Sequence, residues 1–239
     1  MIRFLRDAGS NQRPGACTAD RARVYDERVA QSPELGFAHR YVPAADRSRP
    51  PLLLLHGTGA DENDLIPLGE TLAPGAALLS PRGKVSENGM ARFFRRIAEG
   101  VWDLPDFEAR TRELAAFVEE ACAVYHLPPP IVLGFSNGAN IGWSLMRRDP
   151  DALAGALLMR AALPFDPRPL PDLTGFPVLL LSGKDDPLVA PDQPSYFAAL
   201  LGEAGADVTL EMVPAGHALT QQDLIFAFNW LERYFPAQV

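Results

Sequence analysis

The stretch IVLGFSNGAN, residues 131–140, decides how the rest of the chain is interpreted. Its apolar start fits a buried strand, and the residues after Gly138 continue at mixed helical spacing up to Asp149-Pro150. Between them stands the pattern Gly-x-Ser-x-Gly, with Ser136 at its centre. A strand that reverses sharply into a helix strains the backbone there, and side chains at Gly134 and Gly138 would collide with the returning chain. The pattern predicts an exposed Ser136 hydroxyl at a helix N-terminus.

The five-residue pattern is not decisive alone. In a chain of 239 residues it is expected by chance about 0.08 times at average residue frequencies. A serine flanked by glycines in an ordinary strand-to-helix turn is the alternative interpretation. Partner residues elsewhere in the chain have to decide between the two.

Length and composition indicate one α/β domain, since 47% of the 239 residues are hydrophobic and no shift in composition divides the chain. The net charge of -8 argues against nucleic acid and acidic membrane surfaces as partners, because both favour clustered Lys and Arg. The N-terminus lacks an apolar stretch of signal-peptide length, and no later run has membrane-spanning length. We therefore expect no membrane insertion and a cytoplasmic location.

The sequence offers few metal ligands, with two Cys and four His residues. Cys122 lies among apolar residues at helical spacing and is predicted to be a buried core thiol. Cys17 lies in a polar segment and is predicted to be free. The spacing of these residues matches no known ligand pattern, so neither a metal nor another cofactor is expected.

Strand and helix patterns alternate after residue 33, which predicts a mostly parallel central sheet with helices on both faces. Residues 1–33 are interpreted as an N-terminal extension of unknown role, with a short helix at 22–30, and 34–239 as the domain. Strands are predicted at 35–42, 52–55, 76–80, 131–134, 155–159, 178–182 and 208–213. A first helix is predicted to start at a cap formed by Asn63 or Asp64 and to run through residue 71, and a second to follow Ser136. Further helices are predicted at 108–125, 194–204 and 220–234. Residues 81–105 are predicted to be irregular, and neither 81–107 nor 161–177 is long enough for a cap domain.

A nucleophilic serine needs a base, and His217 is the best candidate among the four histidines. It lies in a short turn just past a strand, whereas the others fit structural or solvent-facing roles. Asp185 and Asp186 end the preceding strand, where a carboxylate could orient His217. The chain order serine, aspartate, histidine is that of α/β hydrolases. The alternative is that Asp186 caps a turn and His217 fills a loop.

Acyl transfer also needs donors for the developing oxyanion, usually two backbone N–H groups. Asn137, directly after the serine, offers one at the helix N-terminus. Thr58 is the best candidate for the other, because Gly57 and Gly59 free the loop after strand 52–55 to turn inward. An ordinary loop threonine is the alternative interpretation of Thr58.

Four segments together carry a family resemblance: LHGTGADE (55–62), GFSNGAN (134–140), SGKDDPLV (182–189) and AGH (215–217). They resemble the phospholipase/carboxylesterase family of small α/β hydrolases, and SPRG, ENG and RFFRR (within 80–96) look most like predicted bacterial esterases of the hydroquinone-response type. The likeness covers about residues 35–235, and residues 1–33 match nothing recognised. It implies an α/β-hydrolase fold with Ser136 as nucleophile, Asp186 as acid and His217 as base. It also implies Thr58 and Asn137 as the oxyanion hole.

The sequence thus favours a serine hydrolase that cleaves small-molecule carboxylic esters or thioesters through an acyl-Ser136 intermediate. One alternative is a non-catalytic binding or regulatory protein on the same scaffold. Another is a hydrolase with the same triad that acts on lysophospholipid or amide bonds. Candidate substrate contacts lie in the long irregular passage: Arg82, Arg92, Phe93 and Trp102. Its aromatic residues fit a packing role equally well. The last helix fits the sheet alone or also a second subunit, which leaves a homodimer open.

Overall fold

The computed structural model describes residues 35–237, and the predictions for the N-terminal extension and for Cys17 lie outside this part of the chain. A seven-stranded sheet forms its centre. Its strands are β1 (His39–Val42), β2 (Leu52–Leu55), β3 (Leu78–Pro81), β8 (Ile131–Phe135), β9 (Gly155–Met159), β10 (Pro177–Gly183) and β11 (Asp207–Val213), and β4 to β7 form two hairpins outside it. The strands lie side by side in the order β1-β3-β2-β8-β9-β10-β11. Only β1, at one edge, runs antiparallel to its neighbour. The predicted mostly parallel sheet is confirmed.

Helices cover both faces of the sheet, as predicted. They are α1 (Ile66–Leu72), α2 (Leu104–Tyr125), α3 (Asn137–Arg148), α4 (Gln193–Glu203) and α5 (Gln221–Tyr234). Leu53 and Leu55 belong to one apolar cluster, with residues of α2, α3 and α4. Leu52 and Leu54 belong to the other cluster, with residues of α1 and α5. Burial on both faces explains why β2 consists of apolar residues only.

The passage 81–105 is more ordered than the sequence suggested. It holds two antiparallel hairpins, β4 (Val85–Glu87) with β5 (Met90–Arg92), and β6 (Arg96–Ala98) with β7 (Val101–Trp102). Asn88 and Gly89, at the first hairpin's tip, have φ of 53° and 80°. Asn-Gly with two positive φ angles is a strong hairpin signal, so the prediction of an irregular loop was wrong for a reason visible in the sequence.

Some element boundaries also differ from the prediction. Helix α2 begins at Leu104 instead of residue 108, because the Asp103 side chain accepts a hydrogen bond from the Asp106 N–H and caps the helix. Neither Asn63 nor Asp64 caps α1. The cap position is Leu65, which gives no side-chain cap, and the residues before it form turns.

The remaining composition-based expectations concern Cys122, membranes and oligomers. Cys122 is partly buried against the core, and burial raises the pKa of its thiol. Within residues 35–237, no helix is both long and apolar enough to cross a membrane. Ile225 and Phe228 of α5 are exposed, and the homodimer stays a prediction.

Candidate active site

Ser136 occupies the sharp turn between β8 and α3. Its φ of 53° and ψ of -114° lie in a region that L-residues rarely adopt. A Cβ atom added at Gly138 would lie 1.9 Å from the carbonyl oxygen of Leu55, and one at Gly134 would lie 2.7 Å from Ala139 backbone atoms. The glycines therefore permit the close approach of β8, α3 and β2, which leaves the serine at the carboxyl end of the sheet.

The structure brings Ser136, His217 and Asp186 together from three separate segments. The Nε2 atom of His217 lies 2.8 Å from the Ser136 Oγ, and its Nδ1 atom lies 2.8 Å from the Asp186 Oδ2. Because a carboxylate only accepts, the network assigns the proton to Nδ1 and leaves Nε2 to accept from the serine hydroxyl. Asp186 is buried, and its Oδ1 also accepts the Leu188 N–H at 2.9 Å. This geometry suits proton transfer from Ser136 to His217.

A cavity of about 450 Å³ opens beside the serine. Thr58, Ser136 and His217 line it together with parts of the second hairpin, and residues 188–190 line it as well. The volume lies within the roughly 300–1,000 Å³ typical of small-molecule sites. The arrangement can therefore admit a small substrate to the Ser136 hydroxyl.

Both oxyanion-hole candidates line this cavity, and each is bonded to one of two adjacent residues, Arg92 at the end of the first hairpin and Phe93 directly after it. Asn137 is the first residue of α3, so its N–H belongs to the helix's first turn, which has no intrahelical acceptor. Its side-chain Oδ1 accepts the Phe93 N–H at 2.7 Å. The Thr58 Oγ1 accepts a hydrogen bond from the Arg92 Nη1 at 2.8 Å.

Arg92 lies at the end of β5 and lines the cavity although its side chain is largely buried. Its Nε donates to the carbonyl oxygen of Phe94 at 3.2 Å and lies 3.4 Å from the Glu87 carboxylate. Burial lowers the pKa of the guanidinium from its ordinary value, yet an arginine stays charged at any physiological pH. Its bonds give Arg92 a fixed position next to Thr58.

The other predicted substrate contacts have different surroundings. Trp102 lines the cavity. Arg82 is exposed, pairs with Glu62 and is not among the lining residues of this cavity. Phe93 is buried and packs against His56, with ring centroids 4.7 Å apart. These contacts fit the packing role that was the alternative interpretation of Phe93.

His56 supports the loop that carries Thr58. Its Nδ1 donates to the Gly57 carbonyl oxygen at 2.7 Å, and its Nε2 accepts the Gly83 N–H at 3.0 Å. Burial lowers the pKa of the imidazole, which keeps it neutral as this pair of bonds requires. The predicted structural role of His56 agrees with these contacts.

Three residues around the site were missed in the sequence. The Asn140 Oδ1 accepts the Ala162 N–H, and the Gln193 Oε1 accepts the Leu163 N–H, so both fix the 161–164 wall of the cavity. Arg160 is fully buried behind His217. Its place directly after an apolar strand, where site residues collect in parallel sheets, was the available signal.

The described residues contain no group of three or more Cys, His, Asp and Glu side chains able to hold a metal ion. A mostly parallel sheet with a serine turn after β8, an acid after β10 and a histidine after β11, in that chain order, defines the class of α/β hydrolases.

Comparisons with known proteins agree with this class. The sequence is 43% identical over 181 residues to the Bacillus subtilis (strain 168) protein named "Putative hydrolase MhqD". The aligned residues cover 75% of this chain and 90% of that protein. The Bacillus cereus carboxylesterase has a TM-score of 0.81 at 39% identity, covering 89% of this chain and 99% of that one. A Mesorhizobium loti carboxylesterase has a TM-score of 0.78 at 34% identity, covering 84% and 96%. No family model matches. The chain belongs to the family of small α/β-hydrolase esterases and is an esterase-type hydrolase.

Proposed function

We propose that this esterase works through an acyl-serine intermediate on Ser136, with His217 as general base and acid and Asp186 as the carboxylate that orients it. The observation that carries the proposal is the continuous hydrogen-bonded chain Ser136, His217, Asp186, with 2.8 Å at each link, beside an open cavity. A neutral serine hydroxyl is a weak nucleophile, and a base within hydrogen-bond distance is what activates it.

In the acylation step, the Ser136 Oγ forms a bond to the ester carbonyl carbon while its proton moves to the His217 Nε2. The imidazolium is stabilised by Asp186 through the Nδ1 proton. The negative charge on the former carbonyl oxygen is met by the N–H groups of Asn137 and Thr58. When the tetrahedral intermediate collapses, the bond to the leaving oxygen breaks, and His217 donates its proton to that oxygen. An alcohol leaves and the acyl group stays on Ser136.

Deacylation repeats the same proton transfers with water. His217 removes a proton from a water molecule that attacks the acyl carbon, and the second tetrahedral intermediate uses the same N–H donors. The bond to the Ser136 Oγ then breaks, and His217 returns the proton to the serine. A carboxylic acid is released, and neither step requires a cofactor.

For the substrate, we propose a small ester that contacts Arg92 and Trp102, the two predicted contacts that line the cavity. Thiol and alcohol leaving groups place the same demands on the proposed triad, so thioesters are the second substrate class to test. The assembled triad supports an enzyme over a non-catalytic binding protein.

A fluorophosphonate probe tests the mechanism directly, because it reacts with activated serines. We expect the wild type to be labelled and hydrolyse short acyl esters, and Ser136→Ala to lose both properties. Ser86→Ala, at an exposed serine of the first hairpin, is the matched control and should behave as the wild type. A folded wild type that is not labelled would exclude the acyl-serine mechanism. A panel of esters, thioesters, amides and lysophospholipids then ranks the substrate classes.

A further inference from the structure

Arg160 is a buried arginine directly after β9, with a side chain that has no exposed surface. Its Nη1 and Nη2 atoms form a two-bond pair with the Asp223 carboxylate, at 2.7 and 2.9 Å. Nη1 also donates to the Leu181 carbonyl oxygen at 3.3 Å. A guanidinium held in this way has one fixed orientation.

The other two donors of Arg160 reach the loop that carries His217. Nε donates to the carbonyl oxygen of Gly216 at 3.1 Å, and Nη2 donates to that of Ala218 at 3.0 Å. These carbonyl groups belong to the residues immediately before and after His217. All five N–H donors of the guanidinium are thus used, and two of them hold the backbone on both sides of the histidine.

Asp223 extends this connection into the last helix. Its Oδ2 accepts hydrogen bonds from the backbone N–H and side-chain hydroxyl of Thr220, at 2.7 and 2.8 Å. The bond from the Thr220 N–H, with the reciprocal bond from the Asp223 N–H to the Thr220 side chain, forms a capping box at the start of α5. One buried ion pair therefore joins the end of β9, the His217 loop and the N-terminus of α5.

We propose that Arg160, with Asp223, is a positioning residue that holds His217 in line with both Ser136 and Asp186. The proposal rests on the acyl-serine mechanism described above. Arg160 is among the residues that line the cavity, but its side chain has no exposed surface and all its donors are bonded within the protein, so it acts through His217 and not by contact with a substrate. The physical need is geometric: His217 bonds to two partners at 2.8 Å each, and a shift of its loop lengthens at least one contact.

A purely structural role for the pair makes a different prediction. As a counter-charge for Asp223, Arg160 could be replaced by lysine, which keeps the charge. Lysine cannot reproduce the planar fork that binds a carboxylate and two backbone carbonyls at once. Arg160→Lys therefore separates the two roles: we expect kcat for a short acyl ester to fall about 100-fold, with KM changed less than about threefold.

A second variant guards against unfolding. The double substitution Arg160→Met/Asp223→Leu removes both buried charges, which usually preserves the fold better than removing one. It also removes the two bonds to the His217 loop, so we expect a folded protein with a similarly low kcat. Leu114→Ala is the control for lost stability. Leu114 is a buried core residue of α2 that does not line the cavity, so this variant should be less stable but keep the wild-type kcat.

A double-mutant cycle with His217→Ala completes the test. Once His217 is absent, Arg160→Lys should lower the residual rate less than about twofold. The positioning role would be overturned if Arg160→Lys or the folded double variant kept full activity. It would also be overturned if Arg160→Lys lowered the rate equally with and without His217. Either result would leave the acyl-serine mechanism intact. A folded wild type without probe labelling and hydrolysis would instead overturn the mechanism itself, and the positioning role with it.

Discussion

The Nδ1 atom of His217 lies 2.8 Å from Oδ2 of Asp186, and not against Asp185, the acid one residue earlier in the chain. Asp186 is buried, whereas Asp185 is exposed and contributes its backbone N–H to the carbonyl oxygen of Ala215. Both residues lie past the end of β10, where the chain turns, and only the Asp186 side chain is directed into the site. Only one of the two carboxylates can therefore orient the imidazole.

The first prediction concerns these neighbouring acids. Asp186→Asn should lower kcat about 10³- to 10⁴-fold, since an amide can present a donor to Nδ1 and favour the wrong tautomer. Asp185→Asn, the matched control, should stay within about twofold of the wild type. Steady-state hydrolysis of a short acyl ester measures both. Equal losses would mean that the acid is not assigned by its contact with His217.

A second prediction compares two arginines that the sequence could not tell apart. Arg92→Lys removes the bond from Nη1 to the Thr58 Oγ1, so we expect a kcat about 10-fold lower because the loop that offers the second oxyanion donor loosens. Arg82→Lys, at an exposed residue paired with Glu62, should leave kcat unchanged. Steady-state kinetics of the two variants side by side provides the measurement.

The Arg92–Thr58 contact itself is tested by a cycle with Thr58→Val, which removes the same bond from the other side. If the bond is the cause, the double variant should lose no more activity than Arg92→Lys alone. Additive losses would indicate that Arg92 acts instead through Phe94 or Glu87, its other partners.

The third prediction concerns Gly138. An added Cβ would lie 1.9 Å from the Leu55 carbonyl oxygen, which belongs to a buried strand that cannot move aside. Gly138→Ala should lower the free energy of unfolding by more than about 3 kcal/mol. Gly202→Ala is the control, because only chain neighbours and backbone of α4 itself can lie within 4 Å of its Cβ position, and it should leave stability unchanged or raise it by up to about 1 kcal/mol. Denaturant unfolding of both variants distinguishes them, and similar stabilities would contradict the contact.

The fourth prediction is a pH dependence of stability that comes from His56. Burial lowers its pKa in the folded protein below the value of 6.5 expected when unfolded. Between the two pKa values the unfolded chain binds more protons, so stability is complete above about pH 6.5 and is lost as the pH falls toward the folded pKa. His56→Asn lacks this contribution. The free energy of unfolding should therefore fall more steeply from pH 7.5 to 5.5 in the wild type than in the variant, and parallel curves would exclude His56 as the cause.

Local sequence patterns were sufficient for the sheet. Short apolar runs such as residues 52–55 predicted strands buried on both faces, and the alternation with helical patterns predicted parallel pairing; the structure confirms both. The Asn88-Gly89 turn carried an equally local signal for the first hairpin. The capping residue of α1 was predicted wrongly, because the turn before that helix depends on its contacts as well as on its own residues.

The amino-acid sequence by itself determined the fold class and the residue types of the candidate site: a serine between two glycines, an acid pair and a histidine after a strand. Those features depend on backbone sterics and on the period of apolar residues, which act over a few positions. The family resemblance pointed to Asp186, but only the tertiary structure placed its carboxylate against His217. Only the tertiary structure decided that Arg92 reaches Thr58 whereas Arg82 lies outside the cavity, and that Arg160 bonds to the His217 loop. These relationships depend on side-chain directions between segments distant in sequence, which only the hydrogen bonds and packing of the folded chain fix.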